Sequence, residues 1–506
     1  MPRTIHLDGR RLTRSDFEAV VLENRAVGLS PRARAAMLLS RSYVEKIIAE
    51  KQLVYGVTTG VGSLSTEHID PAAARELQLN VVRSHSCGVG DPLGVAETRG
   101  LLLLRANTLA RGLSGVRPRI AEMLCAFLNH GVHPIVPRRG SVGASGDLAP
   151  LAHVALALVG EGAVLFRGRR QSAAAALKSL GMKPLTLEAK EGLSLVNGTQ
   201  AMLSIGLLAL REAEILANTA DVAGALSLDA LRGSTRAFDE RLHAARPHPG
   251  QIISARNLAR LIRGSSINKS HQGCSRVQDA YSLRCMPQVH GAVRDALSYA
   301  RQVFEIEMNS ATDNPLVFAS AGEVISGGNF HGQPLALALD LMAIALTQLG
   351  GIAERRVDRL VNPLTSELPA FLARSPGLES GLMMAQVAAA ALASENKVLA
   401  HPASADSIPT SGNKEDFVSM GMTAALKLQP IIANVRNILA IELLCACQAL
   451  DLLAPLRSGK LAEQARALVR KVSPQISKER PLHADIARVA GLISEGRLAG
   501  IIERKR

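Results

Sequence analysis

The chain has 506 residues, enough to bury a large core, and 47% of them are hydrophobic, which excludes an intrinsically disordered protein. Its formal net charge is +14, but the basic residues are dispersed and there is no tryptophan among them to stack bases, so the charge reads as a solvated basic surface and not as a nucleic-acid platform. The six cysteines, Cys87, Cys125, Cys274, Cys285, Cys445 and Cys447, have neither zinc-site nor disulfide spacing, so the expected setting is reducing and cytoplasmic, with no metal.

The N-terminal Met1-Pro2-Arg3-Thr4-Ile5-His6 lacks the apolar core of a signal peptide. Thr4 to Leu7 alternates toward Asp8-Gly9, a short strand and turn. Ser15-Asp16-Phe17-Glu18 predicts a capping box, and Ser30-Pro31 predicts an N-cap with a helix running to about Glu50. Tyr55-Gly56-Val57-Thr58-Thr59-Gly60-Val61-Gly62 is a glycine-rich loop led by one of only four tyrosines. Asp70-Pro71 starts a helix to about Ser84, which delivers His85 at its C-terminal end. Two apolar helices are expected after Pro92 and Pro118.

The chain then reaches Gly140-Ser141-Val142-Gly143-Ala144-Ser145-Gly146-Asp147-Leu148-Ala149-Pro150. Gly143 and Gly146 flank Ala144-Ser145, and glycine admits the tight backbone that would bring the Gly146 nitrogen to the Ala144 carbonyl carbon. Attack there, with loss of water from that carbon and from Ser145, gives a five-membered ring bearing an exocyclic methylene. Such a ring is a strong electrophile, which no standard side chain provides. The plainer reading is a flexible turn ahead of a helix beginning near Leu151.

Leu151 to Val159 reads as a helix and Gly160 to Arg170 as a turn or hairpin. Asn197, before Gly198, reads as the N-cap of a long helix to about Leu226. Residues 233–272 turn polar and are expected to be excursions and loops. Gln278, Tyr281 and Arg284 are spaced by three, which places them on one side of a helical stretch. Thr312-Asp313-Asn314-Pro315 is a turn before a Leu316–Phe318 strand that pairs near Val324–Ser326. Phe330 precedes a long apolar helix to about Leu360, whose run from Leu335 to Leu349 is broken by Asp340 and Gln348 and so does not read as a membrane span. Met383–Ala400 and Val418–Leu453 are apolar nearly all round, which favours a central bundle shared between subunits. Between them Glu415 reads as a helix-start carboxylate. From about Leu461 onward, two helices are split by Pro474 and Pro481.

The run Gly-Ser-Val-Gly-Ala-Ser-Gly-Asp-Leu-Ala-Pro-Leu from Gly140 to Leu151 resembles the signature of the aromatic amino acid ammonia-lyases and aminomutases. The resemblance implies a methylidene-imidazolone (MIO) prosthetic group formed from Ala144, Ser145 and Gly146 without help. It implies catalytic roles for Tyr55, Tyr281 and Glu415. It further implies that His85, Asn197, Gln278, Arg284, Phe330 and Met383 bind substrate, with Arg284 as the carboxylate clamp, whose planar fork suits two-point binding. The implied fold is mainly α, a long central helix bundle of the ammonia-lyase/fumarase-like type. Its implied division is an N-terminal mixed domain over 1–200 carrying the MIO loop, then the bundle and C-terminal helices over 201–506. The implied assembly is a homotetramer with shared active sites and no membrane or nucleic-acid partner.

His85, Glu415 and Met383 follow the pattern of members acting on histidine, so the expected reaction is L-histidine to trans-urocanate and ammonia. Both His85 and Glu415 can hydrogen-bond imidazole nitrogens, whereas an unpaired buried carboxylate facing a phenyl ring would cost several kcal/mol. Ser86-Cys87, Lys414 and Phe417 depart from that pattern, and a Lys414–Glu415 pair would make room for an aryl ring. A tyrosine or phenylalanine ammonia-lyase, or an aminomutase, is therefore the alternative. A helical scaffold or basic nucleic-acid binder with an open Ser145 is the alternative from another class.

Overall fold

The computed structural model describes residues 4–273 and 277–503. Met1, Pro2 and Arg3 of the N-terminal reading, and Cys274, lie outside them. The chain divides into two compact units, each assembled from separated stretches. The first comprises Met1–Leu208, Arg301–Leu339 and Pro402–Leu426; the second comprises Ala209–Ala300, Asp340–His401 and Lys427–Arg506.

The first unit is built on the Val95–Ala110 helix, buried almost throughout because neighbours cover it on every side. The Pro118–His130 helix packs along it, with proline at its first position and Gly131 in the left-handed C-cap conformation. The first helix is Arg14–Val21; its capping box joins Thr13 to Asp16, two residues before the predicted Ser15–Glu18 box. Ser30 caps Pro31–Ala49 as expected. The helix predicted from Pro71 opens as a 3-10 turn and becomes α-helical at Ala74–His85. Val89–Pro92 pairs antiparallel with Pro137–Arg139, so the chain leaving His85 lies beside the chain entering the 140–147 loop. Ala163–Phe166 and Arg169–Ser172 form the expected hairpin, and Leu316–Phe318 pairs with Glu323–Ile325.

The second unit is held by a buried polar chain that links four long helices, Gln200–Ala230, Met286–Glu307, Gln333–Val361 and Gly421–Leu452. Asp221 accepts from Arg294 at 2.6 Å and meets His290 Nδ1 at 2.8 Å. His290 Nε2 lies 3.3 Å from Arg356, whose guanidinium grips Glu442 at 2.6 and 2.9 Å. All but Arg294 are fully buried, so each charge needs its partner. Asp221 is held down to about 2: burial raises it, but Arg294 and His290 outweigh that.

The fold is the mainly helical one expected. Further predicted features differ locally. The polar 233–272 stretch contains a 14-residue helix, Pro249–Ile262, which His248-Pro249 begins and which buries Leu258, Leu261 and Ile262. Within 278–284 only Tyr281–Arg284 is helical, so Gln278 lies outside the helix that holds Tyr281 and Arg284. Gln333–Val361 and Gly421–Leu452 are long and apolar enough to cross a membrane, but 61% and 78% of their most apolar windows are buried inside the fold.

Candidate active site

The 140–147 loop is shaped by two glycines. Gly143 and Gly146 have φ of 71° and 76°, where a side chain is strained. A Cβ on Gly143 would strike Ser419 Oγ, and one on Gly146 would strike the Gly198 backbone. Gly146 forms a parallel bridge with Gly198: the Gly198 N–H donates to Ser145 O at 3.2 Å, and the Asp147 N–H donates to Gly198 O at 2.6 Å. The bridge uses the groups on either side of Gly146 and leaves its own N–H out. Asp147 ties the loop to the start of the Gln200–Ala230 helix, its carboxylate accepting from the Ala201 and Met202 N–H groups, both at 2.9 Å. Those are unpaired donors of a helix N-terminus, which favour an acceptor there. Complete burial nonetheless pushes the Asp147 carboxyl up to about 7.

Asn197 is not an N-cap. It is the C-cap of the Glu191–Val196 helix. The buried Arg105 guanidinium holds it there, donating to Asn197 O at 2.9 Å and to Ser194 O. Burial lowers the Arg105 pKa to about 10. Lys190, also fully buried, donates to Ser194 Oγ at 2.8 Å and to Asp313 at 3.3 Å. The Asn197 amide has two orientations. In one its nitrogen lies 3.3 Å from both Asp313 Oδ1 and Asn314 O. In the other it donates to Ser145 O at 3.0 Å and accepts from the Asn314 N–H at 2.8 Å. The second makes shorter bonds and satisfies both ends of the amide, and it is the one adopted below. Ser145 O then accepts from two donors.

A cavity of about 700 Å³ opens over Ser145. Tyr55, His85, Ser145, Asn197, Phe330 and Glu415 line it together. Ala144 and Gly146 flank Ser145, with Ala144 buried against Val418 and Met420. The Ala74–His85 helix gives the cavity Leu77, Asn80, Val81, Ser84 and His85, the i, i+3, i+4, i+7, i+8 positions of one face. Tyr55 Oη accepts from the Gly62 N–H at 3.1 Å. His85 Nδ1 lies 3.1 Å from Ser84 Oγ. Burial holds the His85 pKa below its ordinary value, against the pull of the Val81 carbonyl and of Glu415. Glu415 takes a hydrogen bond on each oxygen, from Ser145 Oγ at 3.0 Å and from Thr410 Oγ1 at 2.7 Å. Lys414 is exposed and does not take up either oxygen.

Gln278, Tyr281, Arg284 and Met383 are not among the cavity's lining residues; all four belong to the second unit. Gln278 is exposed, and Tyr281 is 70% exposed with the Arg284 guanidinium 4.6 Å above its ring. Met383 begins the Met383–Leu399 helix. Among the described residues, the cavity lining includes no Lys or Arg. Sequence reading missed Glu67, Asn80, Ser84, Asn314 and Ser411 in the lining, and Arg105, Lys190 and Asp313 beneath it. Arg105 carried a signal: it follows four consecutive leucines, Leu101 to Leu104, and a charge so placed needs buried acceptors.

The same chain matches known proteins along nearly its whole length. The family described as aromatic amino acid lyase matches residues 12–471. A histidine ammonia-lyase of Koribacter versatilis (strain Ellin345) is 60% identical over 510 residues, covering 98% of this chain and 99% of that one. Among solved structures, a histidine ammonia-lyase from Trypanosoma cruzi superposes with a TM-score of 0.91 at 43% identity, covering 99% of this chain and 95% of that one. A tyrosine aminomutase from Streptomyces globisporus superposes with a TM-score of 0.93 at 41% identity, covering 99% of each chain. With a glycine-strained Ala-Ser-Gly loop facing a tyrosine, a histidine and a glutamate across one cavity, and with these matches spanning both units, the chain belongs to the aromatic amino acid lyase family.

Proposed function

We propose that this enzyme is a histidine ammonia-lyase, releasing ammonia from L-histidine to give trans-urocanate, with an MIO group made from Ala144, Ser145 and Gly146. The observation that carries the reading is the placement of His85 and Glu415 in the cavity over Ser145, with Lys414 turned to solvent. The curated relative at 60% identity bears the same name.

The loop residues fit the ring. The Gly146 N–H stands outside the bridge to Gly198, as a nucleophile must. Its nitrogen bonds the Ala144 carbonyl carbon, and the amide protons of Gly146 and Ser145 leave with the Ala144 oxygen as one water. The Ser145 Cα proton and its hydroxyl leave as a second. The Ser145 carbonyl becomes conjugated to the methylene, and the Gly198 N–H and the Asn197 amide draw electron density onto that oxygen. When formed, the group supplies an electrophilic carbon that bonds the substrate amine and makes it a better leaving group.

The rest falls to side chains. The Ser84 hydroxyl donates to Val81 O at 3.2 Å, so its oxygen accepts from His85 Nδ1–H and leaves Nε2 as an acceptor. A neutral substrate imidazole carries one N–H, which that acceptor or Glu415 takes, whereas an imidazolium donates to both. Tyr55 and Glu415 are the bases available for the β-proton, a role that contributes roughly a hundredfold to ten-thousandfold. Among the described residues lining the cavity, a substrate carboxylate finds no Lys or Arg. The family resemblance supports a homotetramer with shared sites, in the cytoplasm and without a membrane, in which Arg284, with Tyr281, Gln278 and Met383, comes from another copy of the chain.

Incubating the purified protein with L-histidine and, separately, with L-tyrosine tests the substrate. Urocanate absorbance growing from histidine is expected. Coumarate from tyrosine, with no urocanate, would overturn the assignment in favour of a tyrosine lyase. A β-amino acid from tyrosine would indicate an aminomutase, the activity named for the Streptomyces neighbour.

A further inference from the structure

Thr410 and Glu415 face each other across a tight loop. Their backbones form an antiparallel bridge: the Thr410 N–H donates to Glu415 O at 2.9 Å, and the Glu415 N–H returns to Thr410 O at 3.3 Å. Ser411, Gly412 and Asn413 between them take φ of 51°, 61° and 63°, which reverses the chain in four residues. Directly opposed residues of such a pair put their side chains on the same face. The Thr410 hydroxyl accordingly reaches Glu415 Oε2 at 2.7 Å. The partner of Oε1 differs in kind. It is Ser145 Oγ, at 3.0 Å, and this is the hydroxyl that leaves as water when the electrophile forms.

We propose that Thr410 is a positioning residue that keeps one oxygen of Glu415 tied while dehydration of Ser145 releases the other to the substrate. The inference rests on the functional reading above. Before ring closure both oxygens are occupied and the carboxylate holds the Ser145 side chain. Afterwards Oε1 loses that partner and faces the cavity as an open acceptor, while Thr410 holds Oε2 and stops the carboxylate from rotating. The same carboxylate thus serves the loop first and the substrate second, with no movement of the backbone.

Thr410→Val removes the hydroxyl at nearly constant shape, and Thr410→Ser restores it. Around Glu415 the titratable groups of the cavity are Tyr55, Glu67 and His85, with Lys414 and Asp416 adjacent in the chain. Thr410→Val should still lose two waters by intact mass, keep its Tm within a few degrees, and lose roughly tenfold to a hundredfold in kcat/KM. Thr410→Ser should recover the lost kcat/KM. In a Glu415→Gln background, Thr410→Val should have little further effect, as expected of residues that act through each other. A Thr410→Val enzyme with a normal kcat/KM overturns the proposal. So does an equal loss in both backgrounds, which marks a purely structural threonine. Failure of the underlying reading is distinguishable, since an unsubstituted protein with an open loop or no lyase activity shows it without any variant.

Discussion

At the scale of single residues, the loop geometry makes demands that ordinary turns do not. Gly146→Ala should abolish ring formation, because its Cβ collides with the Gly198 backbone and its φ is left-handed. The check is an intact mass that retains both waters, with activity near background. Asp147 makes a pH prediction. Its carboxyl is raised to about 7 by burial, from an ordinary 3.8. A folded value above the unfolded one adds stability that is complete below about 3.8 and lost as pH rises through about 7. Asp147→Asn keeps an oxygen for the Ala201 and Met202 N–H groups but cannot ionise. Its Tm should therefore stay nearly flat over the interval in which the parent's Tm declines. A parent and variant that fall in parallel would refute this. His85 titrates in the opposite sense: burial holds it neutral to lower pH, so activity that needs its free nitrogen should persist somewhat below the ordinary histidine value.

At the scale of elements, what could be read depended on how local the signal was. Ser30-Pro31 and the helix beginning at Pro118 are written in neighbouring residues, and the apolar runs at 383–400 and 418–453 became helices at Met383–Leu399 and Gly421–Leu452. Asn197 was misread because Asn before Gly suits either end of a helix; what decides it is Arg105, 92 residues away, gripping the carbonyl. The Pro249–Ile262 helix was hidden because its buried face carries polar Gln251, Ser254 and Asn257 beside Leu258 and Leu261. The electrophile loop was legible as chemistry because its residue order is specific, whereas Thr410 was not, because its importance lies in a bridge to Glu415. The buried chain across the four long helices was likewise invisible as four scattered charges. His290→Phe should leave Asp221 and Arg356 facing an apolar ring and destabilise the fold by about 3–5 kcal/mol. The measure is chemical denaturation, and a loss under about 1 kcal/mol would show that the chain contributes little.

At the scale of the whole molecule, no Lys or Arg is among the described residues lining the cavity over Ser145, and Arg284 belongs to the other unit. If neighbouring copies complete the site, Ser145→Ala and Arg284→Ala subunits, each inactive alone, should regain part of the activity when co-expressed, because mixed assemblies contain some sites with both residues intact. No recovery in demonstrably mixed assemblies would confine each site to one chain. The reading as a whole depends on three small residues becoming an electrophile. Intact mass and peptide mapping of freshly purified protein test this most directly: the account predicts that the peptide containing Ala144-Ser145-Gly146 is lighter by two waters, and a peptide of full, unmodified mass in active enzyme would contradict it.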